Sequence, residues 1–551
     1  MKSYSRLLMY SFIFLFIFSI NLSSQDYYEK INRAFEIWGA FFREIALNYV
    51  VEIEPEDLAE KSIYGMLSLL DPYTVYFDST ESEDIEVVAT GIYTGFGVSV
   101  FVLDGMLTVS ETYEGFSAEK NGVRVGDIIY KIDSVIIYKE NPDSLRKYTI
   151  GRIGSKSSVW FLRNNLQDTI KLELTRQDVR LKNISYYTIY EDSIAYIKID
   201  RFSRSCGYEV RDAYTELKKQ HNLKGLILDL RNNPGGLLEA AVSLCEMFFS
   251  KNTPIVSTKG RAGGFNHNEY ISKINPIDAD IPVAVLINGA SASASEIVAG
   301  AFQDVDRGII LGERSFGKGL VQTVTELPYN KMLKATTAKY YTPSGRCIQR
   351  VNYDRNYKNG KIKSQPTDTI FYTKNGRRVY EAIGIIPDSV ISEEKNSSFV
   401  DELLDSAIIF KYASFWAANH KSNENLNDNE EIIKDFITYI DSSKIQLKTT
   451  SEFDLENILK NLKENGADKK ILNTFNEMNI SIKEYRNNLI QKNISNLKKV
   501  LKDEIEKRFF SQSKIIEKSI NSDNSIRIAS SLLKSNYYYN ILKNDKKRER
   551  N

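Results

Sequence analysis

The sequence predicts a multidomain α/β chain, on three observations. Between about residues 184 and 395, apolar runs of strand length alternate with small-residue turns and helical stretches, the rhythm of parallel crossover units. From about 89 to 178 the pattern is instead short strands and glycine turns. Residues 25–88 and 396–551 carry helical periodicity, so helical regions flank the rest. At 551 residues, and roughly 100–200 residues per domain, there is room for three or four domains.

The chain opens with Lys2 and Arg6, an apolar run from Leu7 to Ile20, and the small residues Ser23 and Ser24. This is the pattern of a signal peptide over 1–24, short for a membrane span. An uncleaved anchor stays open as the alternative. The region has no cysteine, which argues against a lipid anchor. In 25–88 the residues Ile31, Phe35, Trp38 and Phe42 recur at helical spacing, until Asp71-Pro72-Tyr73-Thr74 breaks the pattern. In 89–178, Gly95-Phe96-Gly97-Val98 leads into alternating residues, and Val159–Leu162 predicts a strand before a turn at Asn164-Asn165.

Two strand–turn–helix units follow. Leu226–Leu230 predicts a buried strand, Pro234-Gly235-Gly236 a turn, and Leu237–Phe249 a helix. Val283–Ile287 repeats the pattern, with a small-residue turn and a helix from about Glu296 to Phe302. From 396 onward glycine and proline nearly vanish, which predicts a helical tail with Asn-rich breaks near 422–430 and 521–525.

A formal net charge of +1 gives no basic bias of the kind nucleic-acid binding requires. The basic C-terminal tail reads as a solvated segment. Cys206, Cys245 and Cys347 form no C-x-x-C pair and are odd in number, so neither a disulfide framework nor a zinc site is expected. Nothing in the sequence calls for a metal or cofactor.

The segment Asn288-Gly289-Ala290-Ser291-Ala292-Ser293-Ala294-Ser295-Glu296 lies between a strand and a helix. A serine there has helix N-terminal N–H groups beside it, a setting suited to an oxyanion. Ser293-Ala294-Ser295-Glu296 is equally an S-x-x-E capping box. The three histidines, His221, His267 and His420, carry no local signature tying them to this turn. A lysine can replace histidine as base if burial lowers its pKa from about 10.4 toward neutrality. Lys318, between Gly317 and Gly319 and after the apolar run Ile309-Ile310-Leu311, is the candidate. Gly312-x-x-x-x-Gly317-Lys318 also approaches a phosphate-binding loop. Gly319 stands where Ser or Thr would hold magnesium, and the residues after it predict a strand instead of a helix.

Taken together, S-A-S-A-S-E-I followed by F-G-K-G-L-V-Q resembles the carboxy-terminal processing peptidases, or tail-specific proteases. The resemblance covers roughly residues 60–390 and includes Asp229–Gly236, Tyr341–Arg346 and Gly384–Asp388. It implies a crotonase/ClpP-like ββα protease core over 179–395, preceded by a PDZ domain over 89–178. It further implies Ser293 as nucleophile, Lys318, 25 residues later, as base, and Gln322 as the residue orienting it. The oxyanion hole would use the N–H of Ala294 and that of Gly235 or Gly236. In the PDZ domain, Gly95, Phe96, Gly97 and Val98 would bind a peptide carboxylate, the peptide adding as a strand. Arg163 and Arg176 end strand-like runs and are candidate charge sensors there. The implied partners are proteins or peptides with free C-termini, and the implied place is the periplasm or the outer face of a bacterial inner membrane. A homodimer and membrane proximity through the leader stay open. The alternatives are a PDZ scaffold on an inactive protease fold and a nucleotide-binding protein.

Overall fold

The computed structural model describes residues 26–543, except 78–81, 138–147, 164–167, 262–267, 352, 354–368, 393–394, 421–428 and 443–449. The leader at 1–24, the turn at Asn164-Asn165, His267, residues 422–428 of the Asn-rich break near 422–430 and the basic tail lie outside these residues. The chain divides into two compact units: 1–80, 322–336 and 353–362 form one, and 81–321, 337–352 and 363–551 the other.

In the first unit residues 26–48 are helical. The predicted aromatic row is real: Phe35 to Trp38 and Trp38 to Phe42 ring centroids lie 6.0 and 5.3 Å apart. The helix Pro55–Leu67 begins on a proline and carries Glu56 and Asp57 in its first turn, both suited to a helix N-terminus. The expectation of mainly helix up to residue 88 needs one correction. Val75–Phe77 is a strand, antiparallel to residues 332–334. Asp71 explains it: its carboxylate accepts the Tyr73 N–H and the Thr74 hydroxyl. This closes an Asx-type turn that aims a β-prone Val-Tyr-Phe into a ladder.

The second unit is built on a six-stranded sheet in the order Ile184–Tyr190, Ile194–Ile199, Gly225–Asp229, Val283–Ile287, Ile309–Gly312, Ser389–Val390. The first pair is antiparallel and every later pair parallel. Period-two alternation sorts its side chains between two cores. Ile197, Leu228, Val285 and Ile310 pack against the helices Cys206–Gln220, Leu238–Glu246 and Ala294–Asp304. Tyr196, Ile227, Leu286 and Leu311 face the opposite way, onto Ile526, Ala529, Leu533, Tyr538 and Leu542 near the C-terminus.

The region before this sheet folds as an antiparallel sheet in the order Val98–Leu103, Met106–Thr112, Ile128–Ile132, Lys156–Arg163, Asp168–Thr175. It has its own core around Phe96, Val109, Ile129 and Phe161. The helices Ser398–Asp405, Ile408–Asn419, Asn429–Ser442 and Ile494–Glu506 share another core, which includes Phe399, Tyr412, Phe436 and Leu501. The three cysteines are free and buried. Among the described residues no helix is long and apolar enough to cross a membrane.

Candidate active site

Ser293 sits where the strand Val283–Ile287 turns into the helix Ala294–Asp304, at the C-terminal edge of the parallel strands, where α/β sheets place their ligand sites. Its backbone has φ 55° and ψ −114°, a left-handed conformation costing a non-glycine residue about 1–3 kcal/mol. Strand–turn–helix elbows that expose a nucleophilic serine use the same kind of strain. The turn is held from every side. Ala292 N–H and Ser295 Oγ both donate to the Asn233 carbonyl at 3.0 Å, and Ser291 Oγ donates to the Leu230 carbonyl at 2.8 Å.

These bonds lay the serine turn against the glycine turn 229–236. Gly235 has φ 102°, and a Cβ on it would stand 2.7 Å from the Ala292 carbonyl oxygen, 2.8 Å from Ser293 Cβ and 2.9 Å from Ala294 N. Only glycine allows that approach. The Gly235 N–H donates to Asn233 Oδ1 at 2.8 Å. Gly236 is the exposed member of the pair, its neighbours tied to Phe202 through backbone bonds.

Lys318 is half-buried in the loop between the strands Ile309–Gly312 and Leu320–Leu327. The residues after it form a strand, so the phosphate-loop geometry, with its helix N-terminus, is missing here. One carboxylate joins this loop to the serine turn. Glu296 Oε2 accepts the N–H groups of Ser293 at 2.8 Å and of Lys318 at 2.9 Å. Its Oε1 accepts Ser315 Oγ at 2.6 Å and Gly317 N–H at 2.7 Å. Burial pushes this carboxyl up to about 7, against the pull of the four donors. The buried Tyr340 hydroxyl donates to the Lys318 carbonyl at 2.7 Å and lies 3.2 Å from that of Ser293. Burial also raises the Tyr340 pKa well above its ordinary value, so the phenol keeps its proton.

Gln322 belongs to the first unit. There its Nε2 donates to Thr336 Oγ1 at 3.1 Å, and Thr336 Oγ1 donates to Asp71 at 3.0 Å. Gly95, Phe96 and Gly97 are buried, with Phe96 in the core of its sheet, and Val98 opens the edge strand. Arg163 and Arg176 are internal braces. Arg163 grips buried Asp127 through two bonds, at 2.6 and 2.7 Å. Arg176 donates to the Thr149 and Tyr148 carbonyls. His221 ends the helix Cys206–Gln220, and His420 stacks on Trp416.

The model for Peptidase family S41 matches residues 193–358. That for the Activating protease CtpB N-terminal domain matches 19–81, and that for the Probable PDZ-protease, C-terminal helical domain, matches 399–533. A carboxy-terminal-processing protease of Bartonella bacilliformis is 34% identical over 332 residues, 60% of this chain and 75% of that one. The carboxy-terminal processing protease CtpA of Bacillus subtilis is 30% identical over 324 residues, 59% of this chain and 67% of that one. The chain belongs to the carboxy-terminal processing proteases of peptidase family S41. It is a serine peptidase. A solved photosystem II D1 C-terminal processing protease is 28% identical, covering 64% of this chain and 86% of that one at a TM-score of 0.38.

Within this S41 peptidase, sequence reasoning named Ser293 and Lys318 as candidates but missed what ties their backbones together. The S-x-x-E spacing predicts Glu296 as a cap, and the carboxylate does receive the Ser293 N–H. Its reach to Gly317 and Lys318 has no local signal, because those residues are 21 and 22 positions away. Tyr340, 47 positions from Ser293, is equally silent in sequence.

Proposed function

We propose that this peptidase hydrolyses peptide bonds with Ser293 as nucleophile and Lys318 as general base, selecting substrates by their C-termini. The observation that carries the assignment is the shared Glu296 Oε2. Two N–H groups on one oxygen put the backbones of Ser293 and Lys318 within two hydrogen-bond lengths of each other. In the reaction, neutral Lys318 takes the hydroxyl proton as Ser293 Oγ attacks the scissile carbonyl. The oxyanion is received by backbone N–H groups. Ala294, the first residue of its helix, supplies one. Because the Gly235 N–H is already engaged by Asn233 Oδ1, Gly236 supplies the other, and Gly235 provides the close approach. The protonated Lys318 then donates to the leaving amine, and water releases the acyl group from Ser293.

The family resemblance gives Gln322 an orienting role toward the base; within its own unit its Nε2 donates to Thr336 Oγ1 at 3.1 Å. Residues 89–178 fit the PDZ assignment through the buried Gly95-Phe96-Gly97 loop leading into the edge strand Val98–Leu103. A substrate C-terminus would add along that edge. The leader supports export to the periplasm, which fractionation of cells expressing the full chain checks.

The test uses purified full-length protein and peptides with free or amidated C-termini. Parent protein is expected to cleave the free-ended peptide faster, while Ser293→Ala and Lys318→Ala lose cleavage and keep the parent's circular dichroism. Undiminished turnover by either folded variant would defeat the dyad. Equal rates on the two peptides would defeat C-terminal recognition.

A further inference from the structure

The glycine turn is also braced by the far end of the chain. Asp229, at the end of its strand, is fully buried. Its Oδ1 accepts the Arg231 N–H and Nε, both at 3.0 Å, and its Oδ2 accepts an Arg231 terminal nitrogen at 2.6 Å. Lys198 donates to the Arg231 carbonyl and approaches Asp229 to 3.5 Å. The same terminal nitrogen of Arg231 that contacts Asp229 also donates to Asp523 Oδ2 at 2.8 Å, across 292 residues. Asp523 is the N-cap of the helix Asn524–Leu533, its Oδ1 accepting the N–H groups of Ser525 at 2.8 Å and Ile526 at 3.1 Å. The two oxygens therefore have separate tasks. One caps a C-terminal helix, and the other holds the guanidinium that anchors the turn leading to Gly235 and Gly236. The helix itself is seated on the sheet through Ile526, Ala529 and Leu533, with Leu533 close enough that a Cβ on Gly225 would lie 3.0 Å from its Cδ1.

We propose that Asp523 is a positioning residue for proteolysis. The C-terminal helix, by fixing Arg231, sets the turn whose N–H receives the oxyanion. This rests on the assignment of Ser293 as nucleophile. A planar guanidinium held by two carboxylates is fixed in direction as well as place. Removing Asp523's charge leaves Asp229 holding the guanidinium from one side and takes away the anchor on the other, so the turn after it is held less tightly. Oxyanion donors act in the transition state, so the loss falls on kcat and not on substrate binding.

Asp523→Asn in the full-length protein isolates the effect, because asparagine caps helices about as well as aspartate but presents no anion to Arg231. The expected result is kcat reduced about tenfold, KM within twofold of the parent, and a nearly unchanged melting temperature. Affinity for a peptide aldehyde, which forms a tetrahedral adduct on the serine, should fall in step with kcat. Affinity for an uncleaved peptide should stay constant. Asp523→Glu keeps the charge and is expected to lose less kcat than Asp523→Asn. The proposal is overturned by an Asp523→Asn kcat within twofold of the parent, by equal loss in the two variants, or by aldehyde and peptide affinities falling together with the melting temperature. Ser293→Ala run alongside separates the two claims. If it still cleaves, the nucleophile assignment has failed. If it is inactive while Asp523→Asn keeps the parent kcat, only the role of Asp523 has.

Discussion

Replacing Glu296 by glutamine tests the join between the serine turn and the lysine loop. The carboxylate takes four donors, two on each oxygen, and an amide offers only one oxygen. Toward Ser293 and Lys318 both donors are backbone N–H groups, which have no alternative role. Toward Ser315 and Gly317 one donor is a hydroxyl, which can rotate and accept. Glutamine therefore keeps its oxygen toward Ser293 and Lys318 and turns its NH2 to the other side, orphaning the Gly317 N–H. A buried unsatisfied N–H costs about 1–3 kcal/mol, and here it adjoins Lys318, the proposed base. That cost falls on folding stability, and turnover is expected to drop more than twofold as the loop carrying Lys318 shifts. The substitution also erases a pH signature. Burial lifts Glu296 from 4.5 to about 7, so the folded state binds its proton more tightly than the unfolded chain. The resulting stabilisation is complete below pH 4.5 and is lost as pH rises through 7, about 3 kcal/mol in all. Urea unfolding at pH 4.5 and pH 8, beside peptide turnover at pH 8, reads both effects. A Glu296→Gln protein that turns over within twofold of the parent and keeps the parent's fall in stability with pH would refute the reasoning.

Gly235→Ala places a Cβ under 3 Å from three atoms of the serine turn at a φ of 102°. Turnover should fall at least about a hundredfold, with far-ultraviolet circular dichroism retained; parent-like turnover would show that the turns do not meet as described. Arg346→Ala breaks a pair with Asp304 in which the side chains are 1% and 0% exposed. Leaving Asp304 uncompensated should cost about 3–5 kcal/mol in urea unfolding, and a loss under about 1 kcal/mol would contradict the burial.

The parts of the fold that repeat locally were legible in the sequence. Leu226–Leu230 and Val283–Ile287 announce buried strands because both faces of a parallel sheet are covered, which makes every position apolar. Ser293 and Lys318 stood out as candidates because a small-residue turn and a glycine-flanked lysine stand at a spacing that resembles the family's. That Asn233 takes the Gly235 N–H, which bears on the choice between the two glycines, was not legible. Val75–Phe77 escaped because three residues are too few for any periodicity and their partner strand lies more than 250 positions away. Tyr341–Arg346 and Gly384–Asp388 stood out as motifs with no visible task. Their task is to brace the end of the helix behind Ser293. Arg346 binds Gln303 and Asp304, and Asp388 accepts from Gln303 and Ile310 N–H.

The far face of the core sheet is closed by residues near the end of the chain, with the Tyr538 hydroxyl accepting the Val283 N–H across 255 positions. Ribosomes deliver a chain from its N-terminus, and contacts between distant residues form only after the later partner exists. While this protein is being made, Tyr196, Ile227, Leu286 and Leu311 therefore lack this cover until the helices Asn524–Leu533 and Asn536–Lys543 emerge. Ser293 is synthesised 240 residues before Leu533, one of the residues that cover that face. A chain made only as far as Ser293 therefore lacks the residues that close this face of its sheet, and the face can be covered only once residues 526–542 have emerged.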